Sequence, residues 1–260
     1  MYKWFADPTD TWNGRTPPKT LCQAGANPGD VLTWSATAIN NEGVPGAWVP
    51  MPGGGGSFSI TSFTGGEAVE IGATVTDPTF DATYSSLPTS AEITNTDGAG
   101  SPLVLLTPFT SGTVPASFVR DVEATVTFTL TAVGSSTQTA TQAITWEPRM
   151  FAGVGGAGAT GATASGNNAN LVGASGTLAN AGLSDNPVGQ TYDVSPAAQK
   201  VYLLLTGGSH TFRDTLTGFP FAMNAPTPIA FVNQNGQSVA MYLYESTNIL
   251  TSIFDILVVS

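Results

Sequence analysis

Apolar and polar positions alternate with a period of two along much of this chain. Ala124-Thr-Val-Thr-Phe-Thr-Leu-Thr-Ala132 keeps the alternation without a break, and Thr139-Ala-Thr-Gln-Ala-Ile-Thr-Trp146 follows it across a Gly134-Ser-Ser turn. Successive side chains of a strand point to opposite faces, so this pattern predicts a hairpin with one buried face and one polar face. Upstream, Phe58–Phe63, Glu70–Val75, Thr79–Tyr84 and Ala91–Thr94 read as shorter strands, and Leu103–Leu106 is a short apolar run. About seven short strands over roughly ninety residues, with turn signals between them, predict an antiparallel β-sandwich.

A second group of strands closes the chain. Lys200–Thr206 is an apolar run, His210–Arg213 follows a Gly-Gly turn, and Pro226–Val232 faces Gln237–Tyr244 across Asn233-Gln-Asn-Gly236. The Asn-Gly step is a strong hairpin signal because both residues tolerate positive φ. Ser252–Val259 supplies a last strand. Between the two groups, residues 150–176 are rich in Gly, Ala, Ser and Asn, with little to bury, and read as a linker. Thirty glycines and eighteen prolines disfavour long helices throughout.

The expected organisation is therefore all-β. An N-terminal arm (1–50) and a Gly hinge (51–56) precede an immunoglobulin-like antiparallel β-sandwich (57–149). The linker (150–176) leads to a second small β-sandwich domain (177–260). There is no Cys…Trp…Cys pattern, so the likeness to immunoglobulin domains is one of architecture. The arm is expected to be extended, since its Pro and Gly content prevents a core of its own. Yet Trp4, Phe5, Trp12, Trp34 and Trp48 all lie in it. That much aromatic surface is an aggregation liability unless something covers it, and tryptophan is favoured as an interface anchor. These five residues are the candidate assembly interface.

Charge narrows the partners. Seven basic residues stand against eighteen acidic ones, for a net charge of −11. Binding to nucleic acid through phosphate neutralisation needs clustered Lys and Arg, which are missing. No apolar run is long enough to span a membrane, and the N-terminal MYKWFADPTD lacks the apolar core of a secretory signal.

Candidate chemistry is sparse. Gly153-Val-Gly155-Gly-Ala-Gly158 matches a dinucleotide-binding spacing, but no helix is expected after it, and the linker composition explains it. Asn95-Thr-Asp97-Gly98 is partly like a calcium loop but lacks the terminal bidentate Glu, and a β-turn accounts for it. His210 is the sole histidine and Cys22 the sole cysteine, which excludes multi-His and Cys-based metal sites. Asp214 lies near His210, but there is no nucleophile elbow for a triad. Carboxylates for glycoside cleavage are assembled in space, so that activity stays open as an alternative. The expectation is a non-enzyme without cofactor. Tyr242 and Tyr244 share one face of their strand and are the candidate receptor-facing pair.

Three stretches resemble the modular fibre and adhesin-like proteins of tailed bacteriophages. Pro28-Gly-Asp-Val-Leu-Thr-Trp34 with Ala47-Trp-Val-Pro50 is similar to a segment near the start of tail-fibre domains. Residues from Phe58 through Trp146-Glu-Pro148 are similar to a sandwich module of phage structural proteins. Lys200-Val-Tyr202 through Val232, Asn233, Gly236 and Tyr242-Leu-Tyr244-Glu-Ser-Thr-Asn248 resembles their terminal module. The last match departs at the Val232-Asn233 junction, at Met241 and at Glu245. The resemblance implies a virion protein on tail, neck or head, made in the host cytoplasm and anchored by its N-terminus to other virion proteins. It brings no catalytic residue with it. Lateral association, expected to give a homotrimer, would add stiffness and avidity, and the distal domain would meet a host surface glycan or protein. A capsid decoration protein and a carbohydrate-binding surface protein are the rival readings.

Overall fold

The computed structural model describes residues 31–39, 45–51, 57–106, 109–252 and 254–260. Contacts divide the chain into units 1–59 and 60–260. The described residues form strands and no helix, in an all-β, sandwich-like architecture of several sheets.

In the first unit, β1 (Val31–Ile39) pairs antiparallel with β2 (Pro45–Met51). The expected arm is thus not wholly extended. Thr33, Trp34, Trp48 and Val49 are residues of high strand preference, which outweighs the flanking Pro and Gly. Pro45 sits at the first position of its strand, where a missing N–H is tolerated. Of the expected hinge, Met51 belongs to β2, and residues 52–56 lie outside the described residues.

The second unit begins with β3 (Ile60–Thr64), β4 (Glu67–Glu70), β5 (Thr74–Thr76), β6 (Thr79–Tyr84), β7 (Ser90–Asn95) and β8 (Leu103–Val104). It continues with β9 (Ser111–Thr113), β10 (Ser117–Val119), β11 (Ala124–Val133) and β12 (Thr137–Glu147). These strands form a five-stranded sheet in the order β4-β12-β11-β7-β8, a three-stranded sheet β3-β6-β9 and the pair β10-β5. On β11 the alternation holds as expected: Val126, Phe128, Leu130 and Ala132 are buried and the threonines between them are not. Rings from three sheets meet in this core. Phe128 lies 4.5 Å from Phe80 and 5.4 Å from Phe118, and Phe63 stacks on Phe80 at 5.5 Å.

Two details differ from the sequence pattern. Glu70–Val75 is not one strand, because the chain turns at Gly72 (φ +84°) between β4 and β5. The sandwich is also not purely antiparallel, since β4 runs parallel to β12. The chain changes sheet at Gly65-Gly66 between β3 and β4, so β4 arrives beside the module's last strand in the same direction. A Cβ on Gly65 would lie 2.3 Å from the Thr79 carbonyl oxygen, so the change of sheet needs glycine there.

The largest correction concerns residues 150–176. They are strands, not linker: β13 (Arg149–Gly155), β14 (Gly161–Ser165), β15 (Asn168–Val172) and β16 (Gly176–Leu183). With β17 (Thr191–Val194), β18 (Lys200–Leu205), β19 (Phe212–Asp214), β20 (Thr227–Val232), β21 (Ser238–Glu245) and β22 (Phe254–Val258), they complete the chain. A seven-stranded sheet runs β14-β15-β16-β13-β18-β21-β20, and β17-β22-β19 packs on it. The seven-stranded sheet curls until its edge strands β14 and β20 approach each other. One face encloses Phe151, Leu178, Tyr202, Leu204, Phe231 and Met241. The other packs Met150, Val201, Leu203, Leu205 and Tyr244 against Tyr192, Ile256 and Val258 of the three-stranded sheet. Small residues permit the curl: a Cβ on Gly155 would meet Leu171 Cδ1 and the Ser175 carbonyl oxygen, each at 2.6 Å.

Candidate functional site

The aromatic N-terminal residues come first because they were the principal site expected from sequence. Trp34 of β1 and Trp48 of β2 are register partners in the antiparallel pair. The pairing continues through Thr33↔Val49 and Leu32↔Pro50. Trp4, Phe5 and Trp12 lie outside the described residues, as does Cys22.

Of the two tyrosines expected to face a receptor, Tyr244 lies in the core. Tyr244 is 1% exposed, packs edge-on against Phe212 at 5.0 Å between ring centroids, and donates its hydroxyl to the Gly207 carbonyl at 3.0 Å. Tyr242 is half-buried against the same core. The reason is the layering: β21 lies inside the seven-stranded sheet with a core on each face along Met241–Tyr244, while Ser238 and Ala240 near its turn are exposed. Burial also pushes the Tyr244 hydroxyl pKa up.

The remaining motifs resolve into structure. The His210 ring nitrogens face the carbonyl oxygens of Thr206, at 2.6 Å, and Ser260, at 3.0 Å, rather than Asp214. Asp214 closes its own turn: Oδ2 accepts from the Thr217 hydroxyl at 2.7 Å and Oδ1 from the Leu216 N–H at 3.0 Å. The Thr217 hydroxyl, then the backbone N–H groups, hold the Asp214 carboxyl pKa below its ordinary value. Asn95-Thr-Asp97-Gly98 is a β-turn in which the Asn95 side chain accepts the Asp97 N–H, and Asp97 pairs with Arg120. Gly153 and Gly155 lie within β13. Among the described residues, no group of three His, Cys, Asp or Glu is placed to hold a metal ion.

Two features were not legible as sites in the sequence. The first is a polar joint inside unit 60–260. Glu70 at the end of β4, 4% exposed, lies 3.3 Å from Arg149 Nε and accepts from Gln234 Nε2 at 2.7 Å. The Arg149 Nε–H makes no hydrogen bond, so that pair is electrostatic. Asn233 donates to the Ile71 carbonyl at 2.7 Å and Asn235 donates to the same oxygen at 3.0 Å. The β20–β21 turn is thereby fastened to the β4–β5 turn. Beside it, Glu123 faces Asp185 and Glu147. Burial, then these two carboxylates, raise the Glu123 pKa.

The second is a depression of about 230 Å³ between the 214–222 and 246–250 segments, lined by Thr217, Phe219, Phe221, Thr247, Asn248 and Leu250 among others. Phe219 is 71% exposed, and Leu216 and Ile249 nearby in the same segments are 88% and 60% exposed. The sequence signal was present in Leu216-Thr-Gly-Phe-Pro-Phe221, where large apolar residues sit in a turn without strand alternation. No protein-family model, curated protein or solved structure matches this chain.

Proposed function

We propose that this chain is a structural fibre protein of a tailed-bacteriophage virion, held by its N-terminal region and presenting the β-rich C-terminal half to the host surface. It works by position and binding rather than by catalysis, without a cofactor. Its first module is immunoglobulin-like, and the subunits assemble as homotrimers. The observation that carries this reading is the joint built on Glu70, Arg149, Asn233, Gln234 and Asn235. A protein that transmits force between an anchor and a surface needs its modules fastened, and buried polar contacts fasten them in one register. The resemblance of the Trp34 and Trp48 segment to fibre attachment segments supports the N-terminal anchor.

The test is the composition of purified particles. Mass spectrometry of virions is expected to find the chain at a fixed copy number, and antibodies to residues 60–260 are expected to decorate a projecting structure in electron micrographs. A chain absent from the purified particle would overturn the proposal. Uniform labelling of the capsid shell would favour the decoration-protein reading instead.

A further inference from the structure

The β20–β21 turn contains a chemically reactive step. The chain has two Asn-Gly pairs, and Asn235–Gly236 is the one that lies among the described residues. Glycine has no Cβ to shield its amide nitrogen or to restrict its backbone, so that nitrogen reaches the Cγ of a preceding asparagine with little hindrance.

In the folded chain both reacting groups are held. The Gly236 N–H, the nucleophile, is donated to the Asn233 carbonyl at 3.0 Å. Asn235 Nδ2, the leaving group, donates to the Ile71 carbonyl at 3.0 Å. Asn233 Oδ1 fixes the turn further by accepting from the Asn235 N–H at 3.0 Å and the Gln237 N–H at 2.9 Å. The β4–β5 turn packs directly on these residues: a Cβ on Gly72 would lie 2.5 Å from Gln237 Cγ and 2.9 Å from Asn235 Cβ. The closed joint thus restrains the nitrogen and the amide that must meet, and opening it releases both.

We propose that Asn235 is a deamidation site gated by this joint, so that an opening of the joint becomes permanent through covalent chemistry. The Gly236 nitrogen bonds to Asn235 Cγ, the Cγ–Nδ2 bond breaks, and Nδ2 leaves as ammonia with the proton of the Gly236 amide. The cyclic imide then takes up one water and opens at either of its two carbonyl C–N bonds, giving aspartate or an iso-aspartyl linkage. Nothing is oxidised or reduced. Either product carries a carboxylate, which accepts hydrogen bonds and donates none, so the Ile71 carbonyl loses a donor and faces an anion. The iso-aspartyl product also adds a methylene to the main chain of the turn, where Asn233 sets the spacing of two N–H groups. The joint therefore does not close again as it was. The reaction needs only the purified chain and water, so its test is independent of the virion experiment.

The experiment follows Asn235 in the full chain at mildly alkaline pH, native and unfolded in guanidinium chloride. Peptide mapping by mass spectrometry separates this step from Asn13–Gly14 and aspartate from its iso-aspartyl form. Conversion in the native chain is expected to run about tenfold or more slower than in the unfolded chain, because it waits on local opening. Gln234→Ala removes the hydrogen bond to Glu70 from an exposed side chain. Its circular dichroism is expected to match wild type while its native conversion quickens several-fold. Asn235→Asp, which is the product itself, is expected to melt below Asn235→Ala, since both lose the donor to Ile71 and only the first adds an anion. No conversion in the unfolded chain, or equal rates folded and unfolded, would overturn the proposal. A Gln234→Ala rate equal to wild type would overturn the gating by the joint. An Asn235→Asp variant as stable as Asn235→Ala would overturn its permanence.

Discussion

Phe128 shows how a single residue reports on the fold. It is fully buried, touches rings contributed by two other sheets, and occupies the centre of a strand whose alternate residues are threonines. Phe128→Ala removes a ring that no neighbour can replace and is expected to cost about 3–5 kcal/mol. Urea titration of the full chain checks this, and a loss under about 1 kcal/mol would mean that the ring is not at the centre of the core. The tyrosines teach the opposite lesson. Alternation correctly placed Tyr242 and Tyr244 on one face and Met241 and Leu243 on the other, but alternation cannot say whether one face is buried or both. Phe219 was legible only as an apolar residue out of place, since nothing local distinguishes a ring that caps a core from one left exposed.

At the scale of elements, the joint between the β4–β5 and β20–β21 turns concentrates buried polar chemistry. Removing one partner leaves the other charged and poorly solvated, so Glu70→Ala is expected to cost on the order of 3 kcal/mol. The Glu70→Ala/Arg149→Ala double variant is expected to cost less than the sum of the two single changes, since it leaves no orphaned charge. Additivity within about 0.5 kcal/mol would show the pair to be uncoupled. The carboxylates beside the joint add a pH signature. The Glu123 pKa is raised above 4.5 in the folded chain, so folding takes up a proton there. Its stabilising contribution is fully present below the unfolded value and is lost as pH rises through the folded value. Glu123→Gln is therefore expected to flatten the fall in melting temperature as pH is raised through the window just above 4.5. A thermal scan series with the same slope in both proteins would exclude this.

For the whole molecule, the predictions concern assembly. Light scattering of the full-length chain at micromolar concentration is expected to return three times the chain mass of 26.6 kDa. A monomer would count against lateral association. Deleting residues 1–27 is expected to leave unit 60–260 with its wild-type melting transition while the chain disappears from purified virions. Wild-type occupancy by the truncated protein would remove those residues as the anchor.

Local pattern alone determined the strand class of this chain and the Asn233–Gly236 hairpin. It also determined the buried faces of β11 and β6, because each follows from side-chain period and turn chemistry within a few residues. The role of residues 150–176 was decided by tertiary structure. Taken alone, Gly153, Ala162 and Ala169 have almost no surface to bury, and a segment of such residues reads as a linker. In the curled sheet, Phe151, Leu178 and Phe231 supply the apolar bulk, and small residues allow the backbones to approach. The same holds for the joint: Glu70 and Gln234 are 164 positions apart, and no local period relates them. Their meeting depends on how the two turns are brought together, a property of the packed sheets that no window of sequence contains.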